Sequence, residues 1–273
     1  MKISLSSFIY FNFPLEEAIR RTAKAGFDGI DIWGGRPHAY CSDLTEREIY
    51  HLRRQIADDG LQVASFIPAQ FRYPTSLCSP IPAIHRDSIR YICDSIEVAS
   101  AFGAPVVSVC PGHTLFGQSK EDGFDRLSDA LWAITEFATR RNIQIAIEPA
   151  DRYETDLLMT CLDTRTFIQK CGYKNLGILL DNGHAQVAGE SSVEVVEKLG
   201  NLLFHVHVDD NNALRDQHLV PGEGNFHFEP LIQALRSSGY SGFLCAELGW
   251  DYTVDPDPAA QLTAQRLRTL IDS

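Results

Sequence analysis

The 273-residue sequence predicts a (β/α)8 TIM barrel, a closed parallel eight-stranded barrel with outer helices, and three observations predict it. Short β-branched apolar runs alternate with longer segments of helical period through eight units. No Pro/Gly/Ser-rich linker or long charge run divides the chain, so one domain over residues 1–273 is expected. Neither GxGxxG nor GxxxxGK[ST] is present to favour a doubly wound nucleotide-binding sheet.

Lys2 to Ser7 reads as strand one. Leu15 to Ala25 repeats Leu15, Ala18, Ile19 and Ala23 at helical spacing between Pro14 and Gly26, a start and a stop. GIDIW, Gly29 to Trp33, is strand two, followed by the unusual loop GGRPHAY. Thr45 opens a helix to Asp59 as its N-cap, Gly60 closes it, and Leu61 to Phe66 is strand three. The loop from Ile67 to Pro82, with Phe71 and Tyr73, is long enough to lean over something. A helix from Ala83 to Phe102 ends at Gly103 and leads into strand four, Pro105 to Cys110. After the loop PGHTLFG come a helix from about Glu121 to Arg141 and strand five, Ile143 to Glu148. Helix Thr164–Cys171, strand Leu176–Asp181, helix Val193–Leu199 and strand Leu203–Val208 follow. Helix Phe228–Ser238, strand Phe243–Glu247 and helix Pro258–Ile271 complete the eight units.

Composition narrows the function. At 44% hydrophobic the chain can bury a large core, and its net charge of −12, spread along the sequence, repels a phosphate backbone, so no nucleic-acid partner is expected. The start MKISLSSFIYFNFP reads as a strand rather than a signal peptide, and no apolar run is long enough to span a membrane. Seven cysteines, odd in number and without a CxxC pair, point to neither a disulfide framework nor a zinc-thiolate site; a reducing cytoplasm is the expected compartment.

The informative stretch is IQIAIEPADRYE, Ile143 to Glu154, a buried strand that ends on Glu148 and is stopped by proline. In a parallel barrel all strand C-termini open on one face, so distant strand-end residues converge there. Strand five ends on Glu148, strand six on Asp181, strand seven near His207 and strand eight on Glu247. Taken singly, each has an ordinary explanation: a solvated strand end, a turn cap, a satisfied core histidine, a salt-bridge partner. Four at consecutive strand tips are better explained together. Three carboxylates that close repel, and a divalent cation relieves them. Oxygen ligands with one nitrogen suit Mn²⁺ first, with Co²⁺, Mg²⁺, Zn²⁺ or Ni²⁺ as alternatives. His205 or Asp209 would replace His207 if the register slips by two. Around this set, His184 is a candidate contact for substrate or metal, Glu154 offers a further carboxylate, and His218, Arg215, Trp33 and Arg36 are candidate substrate contacts, Arg36 for a substrate carboxylate. Two carboxylates approaching one sugar can remove a proton beside a polarised carbonyl and return one to the opposite face of a cis-enediolate, which is epimerisation.

The motifs E-P-x-x-x-x-E at Glu148 to Glu154, D-x-G-H at Asp181 to His184, H-x-H at His205 to His207, P-G-E-G at Pro221 to Gly224 and A-E-L at Ala246 to Leu248 run the length of the chain in strand order. With them the sequence resembles the xylose isomerase-like barrel superfamily, in particular the ketose 3-epimerases, and DIWGGRPHAY looks specifically like the fructoselysine 3-epimerases. The resemblance implies C3 epimerisation of a ketose or fructosamine, with metal held by Glu148, Asp181, His207 and Glu247. It implies acid/base roles for Glu148 and Glu247 and substrate hydroxyls on Glu154 and His184. Some ketose 3-epimerases carry a substrate-binding arginine after the metal histidine; here DDNNALRDQH leaves Arg215 and His218 both open. A small-molecule sugar substrate and a homo-oligomer, dimer or tetramer, are expected. The alternatives are a dehydroshikimate dehydratase-like lyase, a non-catalytic binding barrel, and an abasic-site endonuclease. The nuclease would need further histidines where SFIPAQF and Cys110 stand.

Overall fold

The computed structural model describes residues 1–70 and 75–273; Phe71 and Tyr73 of the long third loop lie outside the described residues. Eight parallel strands close in sequence order: β1 (Lys2–Ser6), β2 (Gly29–Gly34), β3 (Gln62–Pro68), β4 (Val106–Val109), β5 (Gln144–Ile147), β6 (Leu176–Asp181), β7 (Leu203–Val208) and β8 (Phe243–Ala246). The last strand pairs back onto the first, with Ile3 opposite Leu244 and Leu5 opposite Ala246. This is the TIM barrel that the alternation of elements predicts.

Outer helices are α1 (Leu15–Ala25), α2 (Glu46–Asp58), α3 (Pro82–Phe102), α4 (Lys120–Thr139), α5 (Cys161–Cys171), α6 (Asn182–Val187), α7 (Ser192–Leu199), α8 (Phe228–Ser237) and α9 (Pro256–Asp272). Their ends follow local chemistry. Thr45 and Glu48 form a reciprocal capping box at the start of α2, and Gly26 closes α1 in a left-handed conformation at φ +96°. Helix α5 is capped by Thr160 and also by the Glu190 carboxylate, which accepts the amides of Cys161 at 2.7 Å and Leu162 at 3.1 Å. The short helix α6 is one the periodicity does not reveal, since NGHAQV carries no apolar stripe; the Asp181 side chain starts it by accepting the His184 amide at 2.8 Å.

Side chains alternate across each strand, and the alternation sorts them into two layers. Outward residues such as Ile3, Leu5, Ile30, Ile32, Ile145, Ile147, Ile178, Leu180, Val206, Val208, Leu244 and Ala246 pack in one continuous core with the helices. Inward positions at the N-terminal end are apolar: Val106, Ala146 and Leu179 cluster with Phe204. The Phe204 ring takes the space in which a Cβ on Gly177 would come within 2.5 Å, so glycine is required in LGILLD. Above that plug the interior turns polar, with Ser4, Asp31, Ser65, His205, His207 and Cys245 all buried.

At the opposite end, Asp28 ties the first two strands to the last helix. Its carboxylate accepts the Ile3 amide at 2.9 Å and the Arg268 guanidinium at 2.7 Å. Burial works to raise this carboxyl, but the arginine and the amide bring it below the usual aspartate range. A group held low stabilises the fold above its unfolded pKa and loses that contribution as pH falls through its folded value. Asp28→Ala is therefore expected to lower stability by about 1–2 kcal/mol at pH 7, chiefly by leaving the Ile3 amide unmatched. The gap between the urea midpoints of the two proteins should narrow as the pH is taken below about 4, where the part linked to the ionised carboxylate is lost.

Candidate metal centre and substrate cavity

The same alternation that places Ala146, Leu179, His205 and Cys245 inside the barrel places Glu148, Asp181, His207 and Glu247 inside it two residues further on. The assigned strands β5 and β8 stop one residue short of their acids. The ladder does not: the Glu148 amide donates to the Val109 carbonyl at 3.0 Å, and the Glu247 amide to Val208 at 3.3 Å. Asp181 and His207 are direct neighbours in the β6–β7 register.

One ligand atom from each of these four residues lies within 4.8 Å of the other three. His207 Nδ1 is 3.0 Å from Glu148 Oε1, 3.0 Å from Glu247 Oε2 and 3.9 Å from Asp181 Oδ2. Only the Glu247 contact has hydrogen-bond geometry. Glu148 Oε1 and Asp181 Oδ2 are sealed from solvent and accept no hydrogen bond, although buried carboxylate oxygens are rarely left so. Two orphaned anionic oxygens, a further carboxylate and an imidazole nitrogen around one point are a donor set that fits a divalent cation.

Charge within the set is strongly skewed. Burial pulls the His207 imidazole down, but the Glu247 and Glu148 carboxylates outweigh it and hold the ring well above the usual histidine range. Burial raises the Glu247 carboxyl, yet His207, with His218 and His184 beyond, takes it to about 2. Asp181 goes the other way, up to about 6, because burial and the acids Asp216 and Glu148 exceed the pull of His184 and His218.

Above the set opens a cavity of about 470 Å³, the size of a small-molecule site. Glu148 and Glu247 form part of its wall, as do Glu154, His184, Arg215, His218 and Trp33. Glu154 is held above the usual range by burial and by Glu148, against the pull of His184. Its far side is aromatic: Phe8 packs edge-on against Trp33 at 5.2 Å and against Trp250 at 4.8 Å.

The structure also brings in residues that the sequence reading passed over. Asp216 sits between two imidazoles, with Oδ2 3.3 Å from His184 Nδ1 and 2.7 Å from His218 Nε2. The other His218 nitrogen is 2.6 Å from Asp209 Oδ2, so His184, Asp216 and His218 make a second close group of potential ligands. His184 Nδ1 is also faced by the Asp151 amide at 3.2 Å. Burial opposes charge on this ring, but Asp216, Asp181 and Glu154 take it up to about 9. Gly183 is required here, since a Cβ would stand 2.2 Å from Asp209 Oδ1. Asp216 had a weak signal in the sequence, an acid between Arg215 and His218; Phe8 and Trp250 had only their places just after strands one and eight.

One candidate is corrected. Arg36 does not reach the cavity: its Nη2 donates to Asp43 Oδ1 at 2.8 Å, and its guanidinium lies over the Tyr40 ring at 4.2 Å. A carboxylate and an aromatic face within its own loop satisfy it better than an open mouth. Of the register alternatives, His205 faces Asp31 at 2.6 Å deeper in the barrel, and Asp209 faces His218.

A family model described as Xylose isomerase-like TIM barrel matches residues 19–270. Fructoselysine 3-epimerase of Shigella flexneri is 26% identical over 271 residues, 99% of this chain and 98% of that protein. A D-tagatose 3-epimerase-like protein of solved structure superposes with a TM-score of 0.84 at 26% identity, over 100% of this chain and 97% of that one. L-ribulose 3-epimerase superposes at 0.86 with 21% identity, covering 99% and 94%. On fold, on motifs in strand order and on the family match, the chain belongs to the xylose isomerase-like TIM barrel family.

Proposed function

We propose that this protein is a divalent-metal-dependent sugar epimerase that inverts C3 of a ketose or fructosamine through a cis-enediolate. The observation that carries the reading is the convergence of Glu148, Asp181, His207 and Glu247 on one point at the base of the cavity, with two carboxylate oxygens lacking any hydrogen bond. A divalent ion held by these four would polarise the ketone and stabilise the developing oxyanion. Glu148 and Glu247 stand on strands three apart around the rim and both line the cavity, so a sugar between them meets a carboxylate from each side. One takes the C3 proton while the other gives a proton to the opposite face, and the roles reverse with the epimer. Glu154, His184, His218 and Arg215 line the cavity and would orient hydroxyls, while the aromatic wall of Phe8, Trp33 and Trp250 would pack against the carbon face of the substrate and exclude water. Kinship with fructoselysine 3-epimerase and a D-tagatose 3-epimerase-like protein supports the same reaction class. Against a nuclease, the positions past strands three and four carry Gln70 and Cys110, joined to each other by a hydrogen bond at 3.1 Å.

In D₂O with Mn²⁺, the protein is expected to wash deuterium into C3 of a ketose or fructosamine from a small substrate panel, followed by NMR. Loss of water without label at that carbon would point to the lyase instead. Glu247→Gln and Glu148→Gln should each slow exchange by at least about a hundredfold, with unfolding curves close to the parent. Full exchange in either variant contradicts its acid/base role. Chelator-stripped protein should lose exchange and regain it on adding Mn²⁺. At a hundredfold excess over Kd the ion should also raise the unfolding free energy by about 2.7 kcal/mol, read from the melting shift. A stripped protein that keeps its rate and melts unchanged with Mn²⁺ rules out the metal.

A further inference from the structure

Below the proposed metal centre the barrel encloses a second polar group that the reaction does not touch. Asp31, on β2, reaches across the interior toward β7. Its Oδ1 accepts the Ser4 hydroxyl at 2.6 Å, and its Oδ2 accepts the Ser65 hydroxyl and faces His205 Nε2 at 2.6 Å. Nothing from solvent reaches it: Asp31, Ser4 and Ser65 are fully buried and His205 nearly so. Ligand-type atoms of Asp31, His205, His207 and Cys245 lie within 4.8 Å of one another. The His205 and His207 rings meet edge to face, with centroids 5.4 Å apart.

His207 has two nitrogens, and the structure uses them unequally. Nδ1 faces the carboxylates of Glu148, Asp181 and Glu247, whereas Nε2 is buried with no hydrogen-bond partner. To ligate an ion, Nδ1 must present its lone pair, and the neutral ring then carries its one proton on Nε2. A buried N–H there needs a negative or accepting group nearby. The Cys245 thiol turns toward its neighbour's carbonyl at 3.7 Å, which leaves the Asp31 carboxylate as the charged member of the group.

We infer that Asp31 is a positioning residue for His207: its buried carboxylate, held by Ser4, Ser65 and His205, keeps the proton on Nε2 and so leaves Nδ1 bare for the ion. The inference rests on the metal reading above. It extends the general rule that a metal-ligating histidine is oriented by a group behind it, and it assigns a task to a strand-two aspartate well below the cavity. The hydroxyls of Ser4 and Ser65 hold the carboxylate in place without adding charge, so they brace the device rather than act on His207.

Two measurements test it on the full chain with the metal alone as probe. Chelator-stripped wild type and Asp31→Asn are titrated with Mn²⁺, and free ion is followed by its paramagnetic resonance signal. The variant is expected to bind about 10- to 100-fold more weakly, while Ser65→Ala, which keeps the carboxylate, changes far less. Independently, the Zn²⁺-loaded wild type labelled with ¹⁵N-histidine should show His207 protonated at Nε2 only. A folded Asp31→Asn with the wild-type Mn²⁺ affinity overturns the inference. So does a His207 whose Nε2 is bare, a reading available even if the variant fails to fold. Wild type that binds no Mn²⁺ in the first titration takes down the metal reading and this inference with it, an outcome distinct from either of the others.

Discussion

Carboxylates gathered in a dry place repel one another, and that constraint governs the upper half of this barrel. Glu148, Asp181 and Glu247 each bring an oxygen to within 4.8 Å of the others, with the His207 imidazole facing all three. The imidazolium balances part of the charge, yet two oxygens remain without a donor. Two of the carboxyls show the pull of this arrangement: burial pushes Glu247 up but His207 drives it down, and Asp181 is driven up by burial and its acidic neighbours. A divalent ion would offset two of the three carboxylate charges and give the orphaned oxygens a partner, which is why the metal reading and the proposed epimerase chemistry stand or fall together.

The fold makes such a cluster affordable by spreading its supports over the whole chain. Each acid sits at a strand tip whose backbone is already committed to the ladder, so the side chain is aimed before any ligand arrives. Asp181 does two things at once, since one oxygen starts helix α6 through the His184 amide and the other points into the cluster. Because α6 begins there, His184 is delivered to the cavity wall three residues later. The loop after β7 is fixed similarly: Asp210 accepts the amides of Gly222 at 2.8 Å and Phe226 at 2.9 Å, while His218 is held between Asp209 and Asp216.

What could be read in advance follows from which signals are local. Strand tips declare themselves, because an apolar β-branched run that ends on an acid is visible in a dozen residues; Glu148, Asp181, His207 and Glu247 were legible for that reason. Period two then fixed which side of the strand each faced. Arg36 was misjudged because its partner Asp43 and the Tyr40 ring share its own loop, and nothing in sequence says whether an arginine turns inward or onto its neighbours. Asp31 was passed over since it lies mid-strand in GIDIW, where its partners Ser4, Ser65 and His205 come from three other strands. Helix α6 was missed because a six-residue helix has too few turns to show a stripe.

Anomalous scattering from crystals grown with Mn²⁺ would reveal the ion itself. One strong peak is expected at the base of the cavity, about 2.0–2.3 Å from an oxygen of each of Glu148, Asp181 and Glu247 and from Nδ1 of His207. Crystals that diffract well with no peak among these four side chains, or with the ion bound elsewhere and the acids turned apart, would contradict the metal reading.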